Sequence, residues 1–85
     1  MDLSICIITL NAREYLRACL ESIQRYNPAL NYEIIVADNA STDGTAEMLA
    51  QNFPQVSLIQ NEENLGFTQP VNQMLAVAQG EFFVL

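Results

Sequence analysis

The chain has 85 residues, 51% of them apolar, and a formal net charge of -7 from ten acidic and three basic side chains. A chain of this length supports one compact core, and its acidic balance lacks the basic stripe with which a nucleic-acid binder neutralises phosphates, which excludes DNA and RNA as partners. There is no histidine and there are only two cysteines, so a Cys/His metal site or a Cys–His catalytic pair is excluded within the chain.

Leu3 to Leu10 (LSICIITL) is almost unbroken apolar and β-branched sequence, which predicts a strand covered on both faces. Asn11, with Glu14 three residues on, predicts an Asn version of the capping box, and Leu16, Cys19, Leu20 and Ile23 supply the inward stripe of the helix that follows. Asn27-Pro28 ends that helix. Cys6 in the strand and Cys19 on the helix stripe read as small hydrophobes. No apolar run reaches the length of a membrane span and no charged n-region precedes the first hydrophobic stretch, so the expected location is cytoplasmic.

The chain is organised around Tyr32 to Thr45 (YEIIVADNASTDGT). An apolar run rises to a carboxylate at Asp38 and breaks into a polar turn that can start a helix capped by Ser41 or Thr42, with Asp43 in its first turn. Ligands of open α/β sheets bind outside the carboxyl ends of the strands, where Asp38 would sit; the structural alternative is that Asp38 only caps its loop. Ala46, Leu49, Ala50 and Phe53 form the predicted inward stripe of the second helix, and Pro54 stops it. Val56 to Ile59 predicts a short third strand, and Asn61 to Gly66 (NEENLG) a turn. Thr68 is the expected cap of a third helix, with Pro70 in its first turn, a stripe of Val71, Met74, Leu75 and Ala78, and Gly80 as its C-terminal cap. A fourth strand begins at Glu81.

Strands and helices thus alternate with connections short enough that each helix crosses over to a parallel neighbour, predicting an α/β, Rossmann-like parallel sheet with flanking helices in one domain over residues 1–85. The final EFFVL reads as a buried strand without a polar tail, so the expectation is the front of a longer domain. The usual nucleotide signatures fail: Thr9-Leu10-Asn11-Ala12-Arg13 contains no glycine, which rules out G-x-G-x-x-G, the P-loop and the glycine-rich loop of sugar-nucleotide-forming nucleotidyltransferases. A phosphoacceptor receiver domain would need a pair of acids after the first strand, and none is there.

The strand ending ITLN, the helix REYLRACLESI, the strand-turn EIIVADNASTDGTAEML and the block NEENLGFTQPVNQ followed by AQGEFFVL resemble the amino-terminal, nucleotide-binding half of a family 2 inverting glycosyltransferase, over essentially the whole chain. The spelling is similar to rhamnosyltransferase-like members that use thymidine diphosphate sugars, enzymes of polysaccharide biosynthesis. The resemblance implies an A-type glycosyltransferase fold and transfer of a sugar, with inversion, from a nucleoside diphosphate donor such as dTDP-rhamnose to a hydroxyl of a glycan or lipid-linked acceptor. It implies that Thr9, Leu10, Asn11, Asp38 and Asn39 line the nucleotide pocket, with the loop at Gly66 near the donor. The chemistry agrees, because an ionised Asp38 can accept the N3–H of uracil or thymine and Asn39 can donate to a ring or ribose oxygen.

Other residues have structural readings. Asp43 suits a helix start, Gly44 and Gly66 unusual backbone geometry, and Glu14 a capping partner. Asn64 is a lesser candidate contact, and Asn72 and Gln73 fall on a helix where an exposed polar face is the default. The chain departs from many relatives in having Leu10 for an aromatic, Ala12 for an acid, and Asn39 for the second of two acids. The family's D-x-D-like motif, which binds Mg²⁺ or Mn²⁺ and the donor pyrophosphate, follows the fourth strand, and the catalytic base lies further on. No catalytic or metal residue is therefore assigned here, and the chain by itself is expected to be inactive. The rival expectation is a catalytically silent nucleotide-binding or interaction module. Either reading is compatible with peripheral membrane association, and an open apolar sheet edge would favour homo-oligomers.

Overall fold

A computed structural model describes residues 2–26, 31–80 and 82–84. The element order is β1 (Leu3–Thr9), α1 (Arg13–Tyr26), β2 (Tyr32–Asp38), α2 (Thr45–Asn52), β3 (Ser57–Gln60), α3 (Thr68–Val77) and β4 (Phe82–Val84). The strands form one parallel sheet in the order β3-β2-β1-β4. This is the expected α/β, Rossmann-like architecture. After β3 the chain returns to the other side of β1, so the strand order reverses there, and a crevice for ligand is expected beyond the carboxyl ends of the central strands. The predicted helix end at Asn27-Pro28, and Glu81 and Leu85 of the fourth strand, lie outside the described residues.

The apolar runs of β1 and β2 are explained by a core on each face. On one side Ile34 and Val36 pack with Leu16 and Leu20 of α1 and with Met48, Leu49 and Phe53 from the second helical segment. On the other, Cys6, Ile35 and Ala37 meet Met74 of α3. Alternate residues of one strand therefore feed two different cores, which is why β2 shows no polar alternation. Burial, assisted by the nearby Glu33 carboxylate, pushes the Cys6 thiol up from its ordinary pKa.

Several local expectations change. Cys19 is exposed, and α2 buries Thr45, Met48 and Leu49, leaving Ala46 half-buried and Ala50 exposed. Small residues there let the helix rotate toward its larger side chains. In α3 the buried positions are Pro70 and Met74, with Leu75 exposed. β3 begins one residue later than expected and runs through Gln60.

Gly80 does not cap α3, whose C-cap is Ala78 in an extended conformation. It is a point of close approach: a Cβ there would lie 2.6 Å from Ser4 N. At this amino end of the sheet Ser4 Oγ donates to Glu33 Oε2 (2.6 Å), Gln79 N–H donates to the same oxygen (2.6 Å), and Gly80 N–H donates to Ser4 Oγ (2.9 Å). The junction between α3 and β4 is thereby tied to both central strands. The Ser4 bond first, then the Gln79 bond, hold Glu33 below the usual carboxylate range. A depressed folded-state pKa means that this stabilisation is complete above the unfolded carboxylate value, about 4.3, and is lost as pH falls through the lower folded value. Glu33→Gln is accordingly expected to flatten the acid limb of a melting-temperature-against-pH curve below about pH 4; an unaltered limb would show that Glu33 is not its source.

Candidate functional site

Asp38 is the last residue of β2 and stands opposite Thr9, the last residue of β1. Both are buried, at 1% and 5% exposure. Asn39 N–H donates to the Thr9 carbonyl (2.9 Å), continuing the ladder one step past the strands. An aspartate so deep would be costly without partners, and it has them: Ser41 N–H and Ser41 Oγ both donate to Oδ1, at 3.1 and 2.5 Å. Oδ2 takes no hydrogen bond among the described residues. On the paired strand tip the Thr9 hydroxyl is buried and without a hydrogen-bond partner among the described residues. A half-used carboxylate and an unused hydroxyl on paired strand tips are polar groups that a ligand could satisfy.

The loops after β1 and β2 are joined. Asn11 N–H donates to Ser41 Oγ (2.8 Å), Thr42 N–H donates to Asn11 Oδ1 (2.8 Å), and Arg13 N–H donates to Asp43 Oδ2 (2.9 Å). Asn11 therefore does not cap α1, and the capping box with Glu14 is not formed. The first helix carboxylate comes from Asp43, thirty residues away in sequence. Glu14 instead pairs with Arg13 Nε (2.9 Å) and lies 3.3 Å from Arg17 Nε, a charge contact without hydrogen-bond alignment. Neither Ser41 nor Thr42 caps α2, whose N-cap is Gly44 at φ 86° with no side-chain bond. The Thr45 hydroxyl bond to Asp43 (2.6 Å), then the Arg13 N–H, hold the Asp43 carboxyl below its ordinary range.

A third loop closes the group. Asn39 is 3% exposed; its Nδ2 donates to the Gly66 carbonyl (2.9 Å) and its Oδ1 accepts from Asn61 Nδ2 (3.1 Å). Asn61 and Gln73 exchange two amide bonds, at 3.1 and 3.0 Å, and Asn61 N–H donates to the Asp38 carbonyl. Gln73 is thus half-buried and engaged, not part of an exposed polar face. Asn64 Oδ1 accepts Gly66 N–H, which fixes the turn that puts Gly66 at φ 79°. Leu10 is 42% exposed at the rim.

The structure therefore gathers Thr9, Leu10, Asn11, Asp38, Asn39 and Gly66 on the carboxyl edge of the sheet, with hydrogen bonds linking Asn11 to Asp38 through Ser41 and Asn39 to Gly66. Sequence reasoning missed Ser41, Asn61 and Gln73 as members. Helical spacing pointed to the last, since Gln73 and Met74 follow the buried Pro70 by three and four residues. A polar cleft of about 440 Å³ flanks the loops, lined by Arg13, Arg17, Ser41, Thr42 and Gln60 among others. Among the described residues no three His, Cys, Asp or Glu side chains are grouped to hold a metal ion, and no helix is long and apolar enough to cross a membrane.

Comparison with known proteins fits this geometry. Abequosyltransferase RfbV of Salmonella typhimurium is 39% identical over 90 residues, covering 96% of this chain and 26% of its own length. The dolichol-phosphate mannosyltransferase of Pyrococcus furiosus is 34% identical over 88 residues, covering 100% and 25%. S. aureus TarS 1-349 in complex with UDP superposes with a TM-score of 0.82 at 28% identity, over 99% of this chain and 27% of that one. Mannosyltransferase PcManGT from Pyrobaculum calidifontis, in complex with GDP-Man and Mn²⁺, gives 0.78 at 28% identity, over 93% and 25%. The chain spans about a quarter of the length of these relatives. The profile of glycosyl transferase family 2 matches residues 4–85, and with the strand order and the loop geometry this shows that the chain belongs to that family.

Proposed function

We propose that this chain forms the nucleotide-binding part of a glycosyltransferase that moves a sugar from a nucleoside diphosphate donor to an acceptor hydroxyl with inversion. The observation that carries the reading is the buried Asp38, with Oδ1 bonded to Ser41 and Oδ2 without a bond among the described residues, at the strand tip paired with Thr9. An ionised carboxylate only accepts hydrogen bonds, so its natural complement is an imino N–H. Uracil and thymine present one at N3. Asn11 and Leu10 border the ring, Thr9 backs the pocket floor from the paired strand tip, and Asn39 holds the Gly66 loop as the third wall. Guanine also carries an imino N–H, and GDP-Man in the PcManGT complex favours it as the second reading.

A rhamnosyl donor is not carried into the proposal, because the relatives' names specify abequose and mannose. The acceptor is proposed only as a hydroxyl of a glycan or lipid-linked saccharide. PcManGT is in complex with Mn²⁺; no three His, Cys, Asp or Glu side chains among the described residues are grouped to hold such an ion, so no ligand for the divalent cation of the proposed reaction is assigned among them. These residues bind and orient the nucleotide and perform no bond-making step.

Calorimetric titration of the natural-length protein with a panel of nucleoside diphosphates tests the reading. UDP and dTDP are expected to bind at least about tenfold more tightly than CDP and ADP, which lack the imino N–H, since a hydrogen bond to a charged group is worth roughly 1.5 kcal/mol or more. Equal affinity for UDP and CDP would overturn the role of Asp38. Binding of no nucleotide would return the chain to the silent interaction module.

A further inference from the structure

We infer that Ser41 is a positioning residue for nucleotide recognition, holding Oδ1 of Asp38 so that Oδ2 alone is presented to the base. The inference rests on the base-reading role of Asp38 and adds to it a residue that touches no ligand. A carboxylate turns about a broad, two-fold terminal torsion, so an aspartate at a strand tip does not by itself offer one oxygen in one direction. Ser41 removes that freedom. Its hydroxyl and its backbone N–H converge on the same oxygen, at 2.5 and 3.1 Å, the first within the short range of charge-assisted O–H···O⁻ bonds.

The polarity of the bond is set from the other side. Asn11 N–H donates to Ser41 Oγ, which commits a serine lone pair to the loop after β1 and leaves the hydroxyl proton for Asp38. Asn11 and Ala40 carry positive φ, at 49° and 68°. For alanine the left-handed region costs about 1 kcal/mol, and such strain persists where the surroundings over-determine it. Here the turn at Ala40 is what folds Ser41 back onto Asp38, three residues behind it. The two loops and the carboxylate thus form one unit whose output is the direction of Oδ2.

If Ser41 only supported the fold, its loss would weaken all nucleotides alike. If it aims Asp38, its loss is selective. UDP uses the aimed oxygen and CDP does not, so Ser41→Ala is expected to lower UDP affinity roughly three- to tenfold more than CDP affinity, and Ser41→Thr, which keeps the hydroxyl, to restore most of the UDP/CDP ratio. Titrations of the natural-length protein with both nucleotides, alongside Asp38→Asn, read this out. A Ser41→Ala ratio equal to that of the wild type, while Asp38→Asn collapses it, overturns the positioning role and leaves the reading of Asp38 standing. A wild-type protein that does not separate UDP from CDP sinks that reading, and the inference with it. Should Ser41→Ala unfold, Ser41→Cys, which keeps the volume with a weak donor, must show the same selective loss; a uniform loss for both nucleotides counts against the proposal.

Discussion

Asp38→Ala is expected to weaken UDP binding by roughly 10- to 100-fold, the consequence of losing a hydrogen bond to a charged acceptor worth about 1.5–3 kcal/mol. Three features put the effect at the upper end. The carboxylate is 1% exposed, so the interaction is made away from bulk water and is weakly screened. Its orientation is fixed by Ser41 before any ligand arrives, so little rotamer entropy is lost on binding. Removal also leaves Ser41 N–H and Oγ–H without their acceptor, which loosens the loop. Asp38→Asn separates these contributions: it keeps the volume and one acceptor oxygen but brings an N–H₂ toward donors, and is expected to lose most of the UDP affinity while retaining the fold. Isothermal titration with circular dichroism on the same samples decides; UDP affinity within threefold of wild type in both folded variants would remove Asp38 from the site.

The second large effect is on stability. Gly80→Ala places a Cβ 2.6 Å from Ser4 N, 2.6 Å from Ser4 Oγ and 2.7 Å from the Leu3 carbonyl carbon. Backbone atoms of a strand paired on both sides cannot give way as a flexible side chain would. The chain must either part β4 from β1 or give up the Gly80–Ser4–Glu33 bonds, and a loss of about 3 kcal/mol is expected. Gly66→Ala is the informative comparison. Nothing lies within 4 Å of a Cβ there, and its φ of 79° alone makes alanine unfavourable, by about 1 kcal/mol. Urea melts of the two variants should therefore rank Gly80→Ala well below Gly66→Ala; the reverse order would mean that the close approach to Ser4 is relieved at no cost.

What the sequence revealed follows from the range over which each feature is determined. β1, β2 and their flanking helices were legible because a strand between two cores is apolar at every position and a helix against one core is apolar at every third or fourth. Asp38 was legible because it ends such a run. The caps were not. Asn11 and Glu14 have the spacing of a capping box, but the Asn11 side chain is taken by Thr42 and the helix start by Asp43, partners about thirty residues distant that no local window contains. Gly80 failed for the same reason, since its requirement is set by Ser4 at the other end of the chain. Asn39 and Asn61 directly follow β2 and β3, and it is the fold that brings them together with Gln73 on α3 into one amide chain.

The cross-loop bonds have a further consequence for the hierarchy of motion. Those of Asn11, Arg13 and Thr42 N–H lie at the surface, whereas the strands beneath them are sealed between two cores. Openings of a native protein are graded by how much buried contact each one breaks. The rim can therefore come apart and re-form many times in the life of one folded sheet, and amide exchange at these three positions is expected to run ahead of exchange along β1 and β2. A nucleotide bound between the loops as proposed is expected to slow the rim's exchange first and to leave that of the strands set by global unfolding.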